Sequence, residues 1–212
     1  AIEGSQEEIG DLSFLVIPAA AMLESFAGNL DEVERLLAAF ESRLGDSTSV
    51  QDLAGRTGCR ATLAFIRGDF DAVSSYLETA ADKTVFEFVA PYGLTAHAAI
   101  WARDLSQALA ERARQDLSTL RNPWYFARRQ TLEAGIAALS GERDRAIALY
   151  DEALTRWNEL EIPLGKAMCQ MDLALSVGGA EAAEASAEAE AFFSEAGNEH
   201  FVRRLQEARG AA

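Results

Sequence analysis

The chain has 212 residues, 49% of them hydrophobic, and carries 19 basic against 34 acidic residues for a net charge of -15 at pH 7. Such a length and apolar content can bury a substantial core, whereas the acidic balance disfavours nucleic acid as a partner. No apolar run approaches the ~20 residues of a membrane-spanning helix; the longest, Leu12 to Leu23, is interrupted by Pro18.

Four prolines and abundant alanine favour helix throughout, because Ala gives up no side-chain entropy there. Leu12 to Ala27 is mostly apolar and breaks at Gly28-Asn29-Leu30-Asp31; Val33, Leu36, Leu37 and Phe40 follow at helical spacing as far as Leu44-Gly45-Asp46. A second pair runs from about Val50 to Arg67, turns at Gly68-Asp69-Phe70-Asp71 and resumes with Val73, Leu77 and Ala80. The third spans about Val85 to Arg103, with Pro91 in or just before its first turns, then turns at Arg103-Asp104-Leu105-Ser106 and resumes with Ala108. The fourth follows Asn122-Pro123, where proline suits a helix start. It turns at Gly141 and resumes with Ala146, Tyr150 and Ala153 on one helix face. The fifth begins near Pro163, turns at Gly178-Gly179 and continues as an alanine-rich helix from Glu181 to Ala196. After Gly197-Asn198, Glu199 to Ala208 reads as one last short helix.

The breaks at positions 28, 68, 103, 141 and 178 recur every 35 to 40 residues. Four residues before the break stand Ala64, Ala99, Ala137 and Ala174, with Glu24 the exception; five after stand Val33, Val73, Ala108, Ala146 and Ala183. Small side chains on both sides of a tight turn let two antiparallel helices approach closely, and a fixed period of this size indicates stacked helical pairs. Gly68-Asp69-Phe70 with Val73, Leu77 and Ala80, and the Gly141 to Ala153 stretch, resemble the tetratricopeptide repeat. The period is longer than the usual ~34 residues and the proline expected near each repeat end is mostly missing. The last third is similar to the C-terminal sensor arrays of bacterial multidomain regulators, of the ATPase/cyclase or LuxR type. It contains Ala146 to Leu154, Leu164 to Leu175, Ala191 to Gly197 and Phe201 to Leu205.

Chemistry-bearing patterns are scarce. Gly165-Lys166 would end a phosphate-binding loop only with a glycine at Leu160 and a Ser or Thr at Ala167. His97 and His200 are the only histidines and have no ligand partner at metal spacing. Cys59 and Cys169 read as buried, reduced thiols, for which the expected compartment is the cytoplasm. Glu181, Glu184, Glu188 and Glu190 read as a solvated acidic face. Arg121, Arg128 and Arg129 beside Trp124, Tyr125 and Phe126 form the one basic-aromatic cluster: a clamp for phosphate or carboxylate, or an Arg-rich helix start paired with surface acids. The opening Ala1-Ile2-Glu3-Gly4, with neither Met nor a basic signal region, suggests a piece of a longer protein.

The expected fold is all-α. The resemblance implies a right-handed superhelix of about five hairpins over 1–212 as a single domain, capped by the last helix. It also implies that the first helix of each pair lines a concave groove, the usual binding surface of such arrays. Counting six and two residues before each break then places Met22, Thr62, His97 and Asp172 in one column and Trp101 in the next; Arg128 and Thr131 lie further up the fourth first helix. The expected function is a non-enzymatic interaction or effector-sensing module, without metal, cofactor, nucleic acid or membrane, whose groove takes a peptide, a partner or sibling domain, or an effector. Self-association through Leu36, Leu37 and Phe40 is one alternative. An enzyme with a site near His97, Asp172 and Arg128 is the other.

Overall fold

All five breaks are helix ends at which at least one residue takes a left-handed backbone. In the computed structural model, which describes residues 13–47, 49–79, 94–117 and 121–211, φ is 77° at Gly28, 81° at Gly68, 57° at Arg103, 81° at Gly141 and 62° at Gly178. At Gly68 the amide donates to Phe65 O at 3.0 Å and the next amide, of Asp69, to Ala64 O at 2.9 Å; the same two bonds close the turns at 28, 103 and 141. This double closure satisfies the last helical carbonyls and requires positive φ at the residue after the helix. Glycine enters that region freely, whereas Arg103 does so against a penalty of roughly 1 kcal/mol.

Among the described residues all regular structure is helical: α1 (Ser13–Phe26), α2 (Leu30–Leu44), α3 (Val50–Arg67), α4 (Phe70–Thr79), α5 (Leu94–Trp101), α6 (Leu105–Leu117), α7 (Pro123–Leu139), α8 (Arg143–Glu159), α9 (Pro163–Ser176), α10 (Ala183–Glu195) and α11 (Glu199–Ala211), with one 3-10 turn, Ala180–Ala182. The expected start of the third pair at Val85, with Pro91, lies outside the described residues. None of the described helices is long and apolar enough to cross a membrane. The chain divides into two compact units, Ala1–Tyr92 and Gly93–Ala212.

In the first unit α1 packs on α2 and α3, and α3 on α2 and α4. Ala21, Val33, Cys59 and Leu63 form its core, against which Leu30, Leu36 and Leu37 pack. Phe40 is fully buried. Leu36 and Leu37 are half-buried on the same face of α2.

In the second unit α7 pairs with α8, and α9 packs on α8, α10 and α11. The first helices α5, α7 and α9 also touch one another. Tyr150, Trp157, Cys169 and Leu173 form the core with the small residues Ala127, Ala134 and Ala153. The position five after the break is fully buried at Val33, Val73, Ala108 and Ala146. At the fifth turn the register slips. Gly178 and Gly179 are both left-handed, the 3-10 turn intervenes, and Ala183 is exposed while Ala182 and Ala185 are buried. Arg143, at the start of α8, secures that longer turn by donating to Val177 O at 2.8 Å, Gly178 O at 3.2 Å and Glu181 Oε2 at 2.8 Å.

Candidate functional site

In the second unit, the residues six before the break on α5, α7 and α9 are His97, Gly135 and Asp172. Gly135 is there for room: a Cβ would stand 2.4 Å from Ile100 Cδ1, so only glycine lets α5 close onto α7. With α5 this near, His97 and Asp172 meet. Asp172 is fully buried, and His97 Nδ1 lies 2.8 and 2.9 Å from its two carboxylate oxygens. Trp101, one turn along α5, donates its Nε1–H to Asp172 Oδ1 at 2.5 Å. Its ring packs edge-on against Phe201 of α11 at 5.2 Å, and the Arg204 guanidinium stands 5.6 Å from the ring centre.

A second line of hydrogen bonds runs behind Asp172. Ser176 Oγ donates to Asp172 O at 2.7 Å, so the proton between Tyr150 and Ser176, 3.0 Å apart, belongs to the Tyr150 hydroxyl. Burial pushes that phenol well up from its usual value, and the charge of Asp172 adds to the effect. Burial likewise pushes the Cys169 thiol up, again with Asp172 contributing. Trp157 Nε1 donates to Thr131 Oγ1 at 3.0 Å, and Thr131 donates to Ala127 O at 3.0 Å. Every buried donor in this group has an acceptor, which is what a low-dielectric interior demands.

The basic-aromatic cluster divides. Arg129 joins Arg112, Asp116 and Glu133 in a surface ion network, with Arg129 Nη2 3.0 Å from Asp116 and Arg112 Nη2 2.9 Å from Glu133. Arg121 and Phe126 are exposed. Arg128 is different: it is only 6% exposed, its guanidinium carbon stands 4.9 Å from the centre of the Trp124 ring, and none of its three nitrogens has a hydrogen-bond partner. Burial pulls its pKa down to about 10 against the opposing pull of the Glu111 carboxylate.

Of the seven residues expected to line a groove, the structure thus brings His97, Trp101 and Asp172 into direct contact. Thr131 belongs to the neighbouring hydrogen-bond line and Arg128 to the α6–α7 side of the unit. Met22 and Thr62 belong to the first unit, where Met22 is half-buried and Thr62 is buried, donating to Gly58 O at 2.8 Å within its own helix. Thr62, Trp101, Arg128, Thr131 and Asp172 are all buried rather than open to solvent. Close approach of the first helices, set by Gly135, brings Trp101 and Asp172 together, whereas Arg128 lies on the α6–α7 side and Thr131 beside Trp157 of α8.

Gly165 is accounted for by packing, since a Cβ there would stand 2.5 Å from Trp157 Cε3, and Lys166 bonds Glu188 at 2.8 Å. Among the described residues no group of three or more His, Cys, Asp or Glu could hold a metal ion. The polar residues that sequence reasoning missed are Glu111 and Gln115, 1% and 2% exposed. The available signal was their spacing of three and seven from Ala108, which continues that residue's buried stripe along α6. No protein-family model, no curated protein and no solved structure matches this chain.

Proposed function

We propose that the chain is a non-enzymatic recognition module of a bacterial multidomain regulator. In this reading it is a tetratricopeptide-like superhelical array that binds a peptide, a partner domain or an effector through the first helices of its hairpins. One observation carries the reading: the same turn closure, with a fully buried small or β-branched residue five positions later, recurs through the chain. Hairpins of this kind bury their apolar sides only against neighbours, so a ligand that bridges successive first helices acts on the whole stack. The member of the α5–α9 contact that still reaches solvent is His97, whose side chain is 12% exposed.

The test is a peptide-array screen of the full chain followed by calorimetry. The reading expects at least one saturable binder whose affinity falls about tenfold on His97→Ala while helicity is unchanged. Binders that all ignore this substitution, or no binder at all, would overturn it.

One observation favours a second reading. A histidine held by a buried carboxylate is the orienting arrangement of a general base, and His97 with Asp172 has it. Trp101 competes for the same carboxylate, and Cys169, a natural nucleophile, is held protonated by burial. Hydrolysis of a generic ester panel that disappears in His97→Ala would select this reading over the first.

A further inference from the structure

Between α6 and α7 the second unit holds donors and acceptors that do not satisfy one another. The three nitrogens of Arg128, Oε2 of Glu111 and Oε1 of Gln115 all lack hydrogen-bond partners, although the three residues are 6%, 1% and 2% exposed. They are held together by their surroundings. Gln115 donates its Nε2–H to Glu111 Oε1 at 3.1 Å, one turn back on α6. Tyr125 donates its hydroxyl to Gln115 O at 2.6 Å, which ties the start of α7 to α6. Arg128 follows Tyr125 by three residues and is backed by the Trp124 ring. The charge of Glu111 acts on Arg128, and Glu111 Oε2 has Arg114 Nε at 3.7 Å, beyond hydrogen-bonding distance.

Leaving a buried guanidinium and two buried acceptors unpaired is unfavourable by more than an ordinary surface interaction returns. A molecule that satisfies them must accept from the planar fork of Arg128 and donate to Glu111 and Gln115. A simple anion meets Arg128 but faces the Glu111 carboxylate; a simple cation meets Glu111 but faces Arg128. A zwitterion answers both and leaves the charge of the site unchanged.

We propose that the second unit binds a free α-amino acid, its carboxylate on Arg128 and its ammonium on Glu111 Oε2 and Gln115 Oε1. This deepens the effector arm of the recognition reading and rests on it, while using residues that reading's own test leaves alone. The assignment explains why Arg128 is arginine: a carboxylate matches its two parallel N–H groups, which a lysine ammonium does not offer.

The experiment is calorimetric titration of the full chain with a panel of free α-amino acids, each paired with its deamino carboxylic acid and its decarboxylated amine, and with inorganic phosphate. At least one amino acid should bind saturably, with both halves weaker by about 100-fold, because each half leaves one set of buried groups unpaired. Arg128→Met should abolish that binding, and Glu111→Gln should weaken the amino acid more than its deamino analogue. Should Arg128→Met not fold, Arg128→Lys keeps the charge without the fork and should cost about tenfold. Absence of binding by every amino acid, or phosphate or a plain carboxylate binding equally well, overturns the proposal. If that happens while a His97-sensitive peptide still binds, the recognition reading survives alone; if no peptide binds either, both fall.

Discussion

At the scale of single residues, Asp172 is the side chain on which most depends. It is a fully buried carboxylate that accepts from Trp101 and faces His97 Nδ1, both on α5. Asp172→Ala leaves a buried indole N–H and an imidazole without this acceptor, and should lower stability in urea melts by about 3 kcal/mol. A double-mutant cycle with His97→Ala should give a coupling of about 1 kcal/mol or more; strict additivity would mean that the pair does nothing for the fold. Cys59 supplies a prediction in pH. It is 3% exposed, and burial, followed by the charge of Glu41, pushes its thiol up to about 12. In the unfolded chain the same thiol ionises near ~8.5. Its contribution to stability is therefore complete below that value and is lost as pH rises toward 12, because the unfolded state releases a proton that the folded state keeps. Cys59→Ala should flatten the alkaline fall of the urea midpoint, and an identical fall in both proteins would refute the linkage. Counting back from the breaks identified His97 and Asp172 as equivalent positions. It did not reveal that they touch, since that depends on Gly135 admitting Ile100, a packing event between helices far apart in sequence.

At the scale of elements, two glycines separate backbone from space. Gly141 has φ 81°, and a Cβ added there would meet nothing within 4 Å. Gly141→Ala should cost about 1 kcal/mol from the left-handed backbone alone. Gly165 lies inside α9, where a Cβ would stand 2.5 Å from the Trp157 ring. Gly165→Ala should cost about 1–3 kcal/mol through overpacking, offset in part by better helix propensity. Near-ultraviolet dichroism distinguishes the two: the tryptophan signal should change in Gly165→Ala and stay the same in Gly141→Ala. The reverse pattern would show that these roles are misassigned. Hairpin positions were legible because a left-handed turn leaves a local mark, a glycine followed by a polar residue at Gly28-Asn29, Gly68-Asp69 and Gly141-Glu142, or, without glycine, Arg103-Asp104. The fifth hairpin slipped by contrast because two consecutive left-handed glycines lengthen the turn, and nothing in Gly178-Gly179 states which of them ends α9. The buried polar pair on α6, Glu111 and Gln115, was marked only by its spacing from Ala108, since polar side chains on such a stripe look like ordinary surface residues.

At the scale of the molecule, a recurring hairpin specifies the local unit and leaves open where one core ends and another begins. The period runs from position 28 to 178, yet the chain divides at Tyr92 and Gly93 into two units. The second is about the size of an ordinary domain. Its largest buried side chains, among them Tyr125, Tyr150, Phe193, Phe201 and Ile100, all belong to residues 93–212. The whole α5–α9 contact, from His97 and Trp101 to Asp172, lies within the same stretch. Residues 93–212 expressed alone should therefore be helical and should unfold in urea as one cooperative transition. Asp172→Ala should remove the same stability from this fragment as from the full chain, since Trp101 and His97, which lose this acceptor, are present in both. A fragment that is unfolded, or one in which the substitution has no effect, would mean that the second unit takes its stability from residues before Gly93.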